Sequence, residues 1–149
     1  MPRVEFDTST TLSPDQVTAL LTDFSDRRPH IWPGLWDGAY KVISVGENTA
    51  EVREGNKSPK VWARERYDWS KPGVVRWEVL ESNFCKPGSF VEAHISPGET
   101  SGSRVHVVWN RSPSSVMGMV ATAMIVVTRG APVKASLDKG LKKAEAGAG

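Results

Sequence analysis

Hydrophobic and polar residues alternate along this chain with two periods, and the switches between them mark its elements. Val4, Phe6 and Thr8 interleave with Glu5 and Asp7, which predicts a short first strand. Ser13-Pro14-Asp15-Gln16 then sets an N-cap serine, a proline at the first helical position and a glutamine at the third. Leu12 and Val17 are spaced as a hydrophobic staple. Val17, Leu20, Leu21 and Phe24 recur at helical spacing, so a helix is predicted over 13–24. Pro29 and Pro33 leave room for at most one further helical turn.

From Ala39 to Pro113 the period is two, and strands are predicted over 39–46, 49–55, 60–70, 73–82, 88–97 and 103–112. Their links are short and rich in Gly, Pro, Asn and Ser, among them Gly55-Asn56-Lys57-Ser58-Pro59 and Ser70-Lys71-Pro72-Gly73. Links this short join antiparallel neighbours. Beyond Pro113 the helical period returns. Met117, Val120, Met124, Val127 and Ala131 form one stripe, continued by Leu137 and Leu141, and Gly130 and Pro132 are placed to kink or break that helix. The tail over 144–149 is expected to fray.

Two hairpins allow the faces of the sheet to be assigned. If Ser96 faces Arg104, then His94 lies opposite His106. The inward face there is Val91, Ala93, Ile95, Val105, Val107 and Trp109. The outward face carries Glu92 beside the two histidines. A metal site of His94, His106 and Glu92 competes there with a plain solvated face, and the solvated face is the reading adopted. In the hairpin turning at 70–73, Val61, Ala63, Glu65, Tyr67, Trp69, Val75, Trp77 and Val79 share one face. Arg64, Arg66, Asp68, Arg76 and Glu78 share the other with Trp62. Glu65 is thus one charge on an apolar face, and a buried carboxylate is costly unless paired, hydrogen-bonded or protonated. Glu65 and Tyr67 are the candidate acid and base. The competing readings are a bulge that turns Glu65 outward, or an arginine partner at a rim. A leucine in its place would stabilise the chain if the charge were only a packing liability.

Composition narrows the class. The chain has 149 residues, 39% hydrophobic and 24% charged, which is one globular domain, expected to span 1–149. Nineteen basic against seventeen acidic residues leave +2, too little to suggest a nucleic-acid partner. The single Cys85 forms no intrachain disulfide and suits a reducing compartment; it reads as a spectator thiol. No signal segment or membrane span is predicted, and the apolar run Val116–Val127 is too short to cross a bilayer, so the expected location is the cytoplasm. Phosphate-loop, dinucleotide, zinc-protease and serine-elbow motifs are absent, and no cofactor is expected. Tryptophan is the outlier, with six against two Tyr and four Phe. Trp77 and Trp109 fall on inward faces, while Trp32 and Trp36 lie in the Pro/Gly-rich segment after the first helix. With Met117 and Met124 they are the candidate lining of an apolar pocket, and plain core packing is the alternative for each.

The order of elements, with Thr10-Thr11-Leu12-Ser13-Pro14 entering the first helix, Trp32-Pro33 after it and Gly102-Ser103-Arg104-Val105 opening the last strand, resembles the START-like (SRPBCC, helix-grip) superfamily. The likeness is to its polyketide cyclase/dehydrase-type bacterial members, over about residues 3–145. The resemblance implies an α+β fold: a curved seven-stranded antiparallel sheet around a long C-terminal helix, with two short helices after strand 1 and an apolar cavity between sheet and helix. A strand barrel plugged by helices is the alternative. The resemblance also implies binding of a hydrophobic small molecule, such as a lipid, polyketide or aromatic metabolite, by a monomer or homodimer. A polyketide cyclase/dehydrase-like enzyme using Glu65 and Tyr67 is the second reading, and a co-chaperone-like protein-binding domain a weaker third. The family's last helix is usually continuous, and Gly130-Ala131-Pro132 departs from that pattern.

Overall fold

A computed structural model describes residues 2–58 and 60–148; Pro59 of the predicted turn, Met1 and the terminal Gly149 lie outside them. The chain runs β1 (Arg3–Thr10), α1 (Pro14–Leu21), α2 (Arg28–Ile31), β2 (Lys41–Val45), β3 (Thr49–Asn56), β4 (Val61–Asp68), β5 (Val74–Ser82), β6 (Phe90–Pro97), β7 (Ser103–Asn110), α3 (Val116–Val127) and α4 (Ala131–Ala148). All seven strands form one antiparallel sheet in the order β1-β7-β6-β5-β4-β3-β2. It is open, with β1 and β2 as its edges, so the barrel alternative is set aside.

α1 begins as its capping sequence requires. The Ser13 hydroxyl accepts the Gln16 amide at 3.2 Å, and the Gln16 side chain accepts the Ser13 amide at 2.8 Å. The staple residues Leu12 and Val17 are buried beside them. α1 ends at Leu21, short of the predicted Phe24, because the buried Arg28 guanidinium takes the carbonyls of Leu21 and Asp23 at 3.0 and 3.1 Å. The space between the prolines holds one turn, α2.

The predicted registers hold. Ser96 faces Arg104 and His94 faces His106. Inward residues Val91, Ala93, Ile95, Val105, Val107 and Trp109 are buried. A bulge lies between β4 and β5, where Arg64 pairs with Glu81 but Glu65 with Val79, leaving Leu80 as the extra residue of β5. It does not turn Glu65 outward.

The C-terminal helix is broken. α3 and α4 meet at 81°, through Arg129 (φ 56°) and Gly130 (φ 83°) in the left-handed region, with Pro132 in the first turn of α4. A side chain at Gly130 would also press on Val4 and Phe6 of β1, at 3.0 Å from each. α4 grips the sheet, with Leu141 fully buried and Val133 and Leu137 against the core. α3 does not, and its stripe of Met117, Val120, Met124 and Val127 faces outward. Gly118, Thr122 and Ile125 are turned inward instead. The reason is local: a Cβ at Gly118 would collide with the Phe84 carbonyl, so only a bare backbone fits where α3 meets the loop after β5. α4 runs on through the tail expected to fray, to Ala148. No single helix is long and apolar enough to cross a membrane among the described residues.

Candidate functional site

Glu65 projects from the middle of β4 onto the concave face and is 5% exposed. Its strand neighbours are Val52 on β3 and Val79 on β5, so its surroundings are apolar on both sides. Its direct charged partner is Arg111, and the charges of Glu54 and Arg28 reach it as well. The Arg111 side chain, just past β7, donates from Nη2 to Glu65 Oε2 at 2.9 Å, and both side chains are largely buried. Burial pushes the Glu65 carboxyl up to about 7, against the downward pull of Arg111. Among the described residues the buried Arg111 Nε has no hydrogen-bond partner, so this guanidinium holds a donor in reserve.

A second polar knot lies one residue pair further along β4. Tyr67 is buried; its hydroxyl donates to Glu54 Oε1 at 2.8 Å and accepts from Arg28 Nη2 at 3.0 Å. Arg28 Nε donates to the same Glu54 oxygen at 3.1 Å, closing a triangle of three side chains. Burial is the largest influence on the Tyr67 hydroxyl and holds its pKa well above the usual tyrosine value, so it stays protonated. The Tyr67 ring stacks on Trp77 with centroids 5.5 Å apart, and Phe24 meets it edge-on at 4.9 Å.

The apolar core divides at this place. Tyr67 belongs to the main cluster under α1 and α4, whereas Ala63, Val79, Cys85 and Phe84 form a smaller one. Glu65 stands on β4 between Ala63 and Tyr67. Arg111 lies over the Phe84 ring at 5.9 Å. The concave face therefore carries a carboxyl poised near neutrality, a guanidinium with an idle donor, and a phenol, set between two greasy surfaces. Such an arrangement can orient a mostly apolar molecule by one polar end.

The structure brings Glu65, Tyr67 and Trp77 together, and it disperses the other candidates. Trp109 is a packed core residue on β7, opposite Val4 and Val91. Trp32 lies against Gly140 of α4, where any side chain would strike its ring, and its buried indole N–H has no partner among the described residues. Trp36 folds back over Gly38 and ties its backbone to Gly55. Met117 and Met124 are 47% and 59% exposed on α3, so they do not line a space between sheet and helix. Two open clefts of about 370 Å³ each flank α4, one against Thr8–Thr11 and one against α2; Glu65 lines neither. On the convex face His106 sits between Glu5 and Asp7 at 2.9 and 3.0 Å, and His94 meets Glu92. Among the described residues no group of three or more His, Cys, Asp or Glu side chains is arranged to hold a metal ion. Cys85 is buried, and burial raises its thiol pKa, which suits a spectator.

Three charged partners escaped the sequence reading: Arg28, Glu54 and Arg111. Two had a signal. Glu54 continues the inward phase of Ala50 and Val52, and Arg111 that of Val107 and Trp109. Arg28 sits in a one-turn helix, where periodicity carries no phase.

Comparison with solved structures places this architecture. Over 99% of both chains it superposes on a protein of Thermus thermophilus with TM-score 0.79 and 18% identity. It matches the Zhui aromatase/cyclase from a Streptomyces species with TM-score 0.76 and 15% identity, over 96% of this chain and 93% of that one. A START superfamily protein from Mycobacterium smegmatis matches with TM-score 0.72 and 8% identity, over 95% and 98%. No family model matches the chain, and no curated protein matches it. At these identities the shared property is the fold: the chain has the START-like helix-grip fold.

Proposed function

We propose that the chain binds a hydrophobic small molecule (a lipid, polyketide or aromatic metabolite) on the concave face, with the ligand's polar end at Glu65 and Arg111. The observation that carries this reading is the buried Glu65–Arg111 pair at 2.9 Å, flanked on the neighbouring strands by Val52 and Val79. A buried ion pair is weak support for stability, since well-packed apolar residues in its place are often neutral or better. A carbonyl or phenol oxygen would satisfy the idle Arg111 Nε, and the protonated or ionised Glu65 would match a ligand acceptor or donor. The half-buried Trp77, stacked on Tyr67, offers an aromatic surface to a planar body.

Polyketide cyclase/dehydratase-like turnover is the second reading, and one observation favours it. A carboxyl held near 7 exchanges protons at neutral pH, as general acid/base chemistry at an enolisable carbon requires. The likeness of the fold to an aromatase/cyclase agrees with it. Glu65 is then the acid/base, and Tyr67 a donor held by Arg28 and Glu54.

Native mass spectrometry tests the binding reading. The chain as prepared, or after addition of 2-naphthol, is expected to carry an apolar molecule that leaves on denaturation. Glu65→Gln, which removes charge and keeps shape, should reduce the bound fraction. A bare mass under both conditions would overturn the proposal.

A further inference from the structure

α3 turns a broad apolar face to solvent. Val116 is 78% exposed, Val120 62% and Val127 81%, with Met119 at 60% and Met124 at 59% beside them. With Met117 and Val126 they expose an apolar patch on the order of 700 Å², above the ~300–600 Å² of the largest patch on a typical monomer and close to the ~800 Å² that each partner brings to a standard interface. The spacing is specific as well. Val116, Val120, Ala123 and Val127 follow one another at intervals of four, three and four, the seam of a helix that packs against another helix.

We infer that this face is a self-association surface, and that two copies of the chain pair through α3 about a two-fold axis, helix against helix. Three observations select a second copy as the occupant. The exposed area matches what one side of a dimer contributes. The seam suits a helical partner, and the chain supplies one. No Asp, Glu, Lys or Arg occurs in Val116–Val127, so an isologous contact, which sets this same face against itself, brings no like charges together. The same absence speaks against a lipid surface, because helices that lie in a membrane interface carry Lys and Arg on their polar face. The 81° bend turns α3 off the line of α4, and α3 rests on the molecule through Gly118 and Ile125 with its opposite face left open.

Sedimentation equilibrium on the full chain, across micromolar concentrations, tests this. The wild type should sediment at twice the chain mass. Val120→Glu, near the centre of the seam, should sediment as a monomer with an unchanged circular dichroism spectrum. An equimolar mixture of Val120→Glu and Val120→Lys should recover the dimer, a rescue that only a contact between two α3 helices explains. If Val120→Glu fails to fold, Val127→Glu at the exposed end takes its place, with the same expected loss of dimer. A wild type that stays monomeric throughout overturns the inference, as does a folded variant that remains dimeric. A monomer that co-sediments with phosphatidylglycerol vesicles overturns it in favour of a membrane.

Discussion

At the scale of single side chains, Glu65 and Arg111 depend on each other more than on anything else around them. Glu65→Leu alone strands a largely buried guanidinium, so the stabilisation expected of an unpaired carboxylate does not apply; a loss of about 3–5 kcal/mol is the expected outcome. Replacing both, as Glu65→Leu with Arg111→Leu, should recover most of that loss, and chemical denaturation of the four proteins of the cycle measures it. The protonation of Glu65 has a direction too. Its carboxyl is raised from 4.5 to about 7 on folding, so between those values the native state holds a proton that the unfolded chain releases. That contribution favours the native state at low pH and is lost as pH rises from 4.5 towards 7. The stability of the wild type relative to Glu65→Gln should fall across that window and level off above it. A constant difference would place the carboxyl in water. Alternation along β4 was enough to put Glu65 and Tyr67 inside. Alternation says nothing of which strand end supplies the counter-charge, and Arg111 arrives from the far side of the sheet order.

Among the elements, the break between α3 and α4 has the largest consequence. Gly130 is held at φ 83° with two side chains of β1 at 3.0 Å from where its Cβ would stand. Gly130→Ala therefore meets both backbone strain and a crowded neighbour. A loss of more than about 1 kcal/mol is expected, read as a lowered thermal midpoint. An unchanged midpoint would mean that the left-handed turn is not what sets the bend. The break itself was legible in Gly130-Ala131-Pro132. The face of α3 was not, because periodicity ranks faces by contrast and Val116–Val127 has apolar residues all round. Three of its smaller contrasts, at Gly118, Thr122 and Ile125, decide which side lies inward. The hairpins behaved in the opposite way: a period of two has only two answers, and one charged lattice was enough to choose between them.

On the scale of the whole molecule, a rhythm of strand, helix and meander determined the fold more fully than any motif. Short Gly- and Pro-rich links left antiparallel neighbours as the only economical pairing, and β1 closes onto β7 because both carry complementary inward residues, Val4 against Trp109 and Phe6 against Val107. The site was legible only in part. Its carboxyl, phenol and one indole lie on strands, where phase is readable, and Arg111 continues such a phase past the end of β7; Arg28 lies in a one-turn helix, where phase is lost. The proposed function turns on a ligand meeting the concave face at Glu65. The most direct measurement follows the carboxyl carbon of Glu65 by ¹³C NMR across pH, with and without 2-naphthol, with Glu65→Gln identifying the resonance. Ligand binding at this carboxyl predicts a midpoint near 7 in the free protein that moves when the probe is present. A midpoint near the ordinary 4.5, unmoved by the probe, would contradict it.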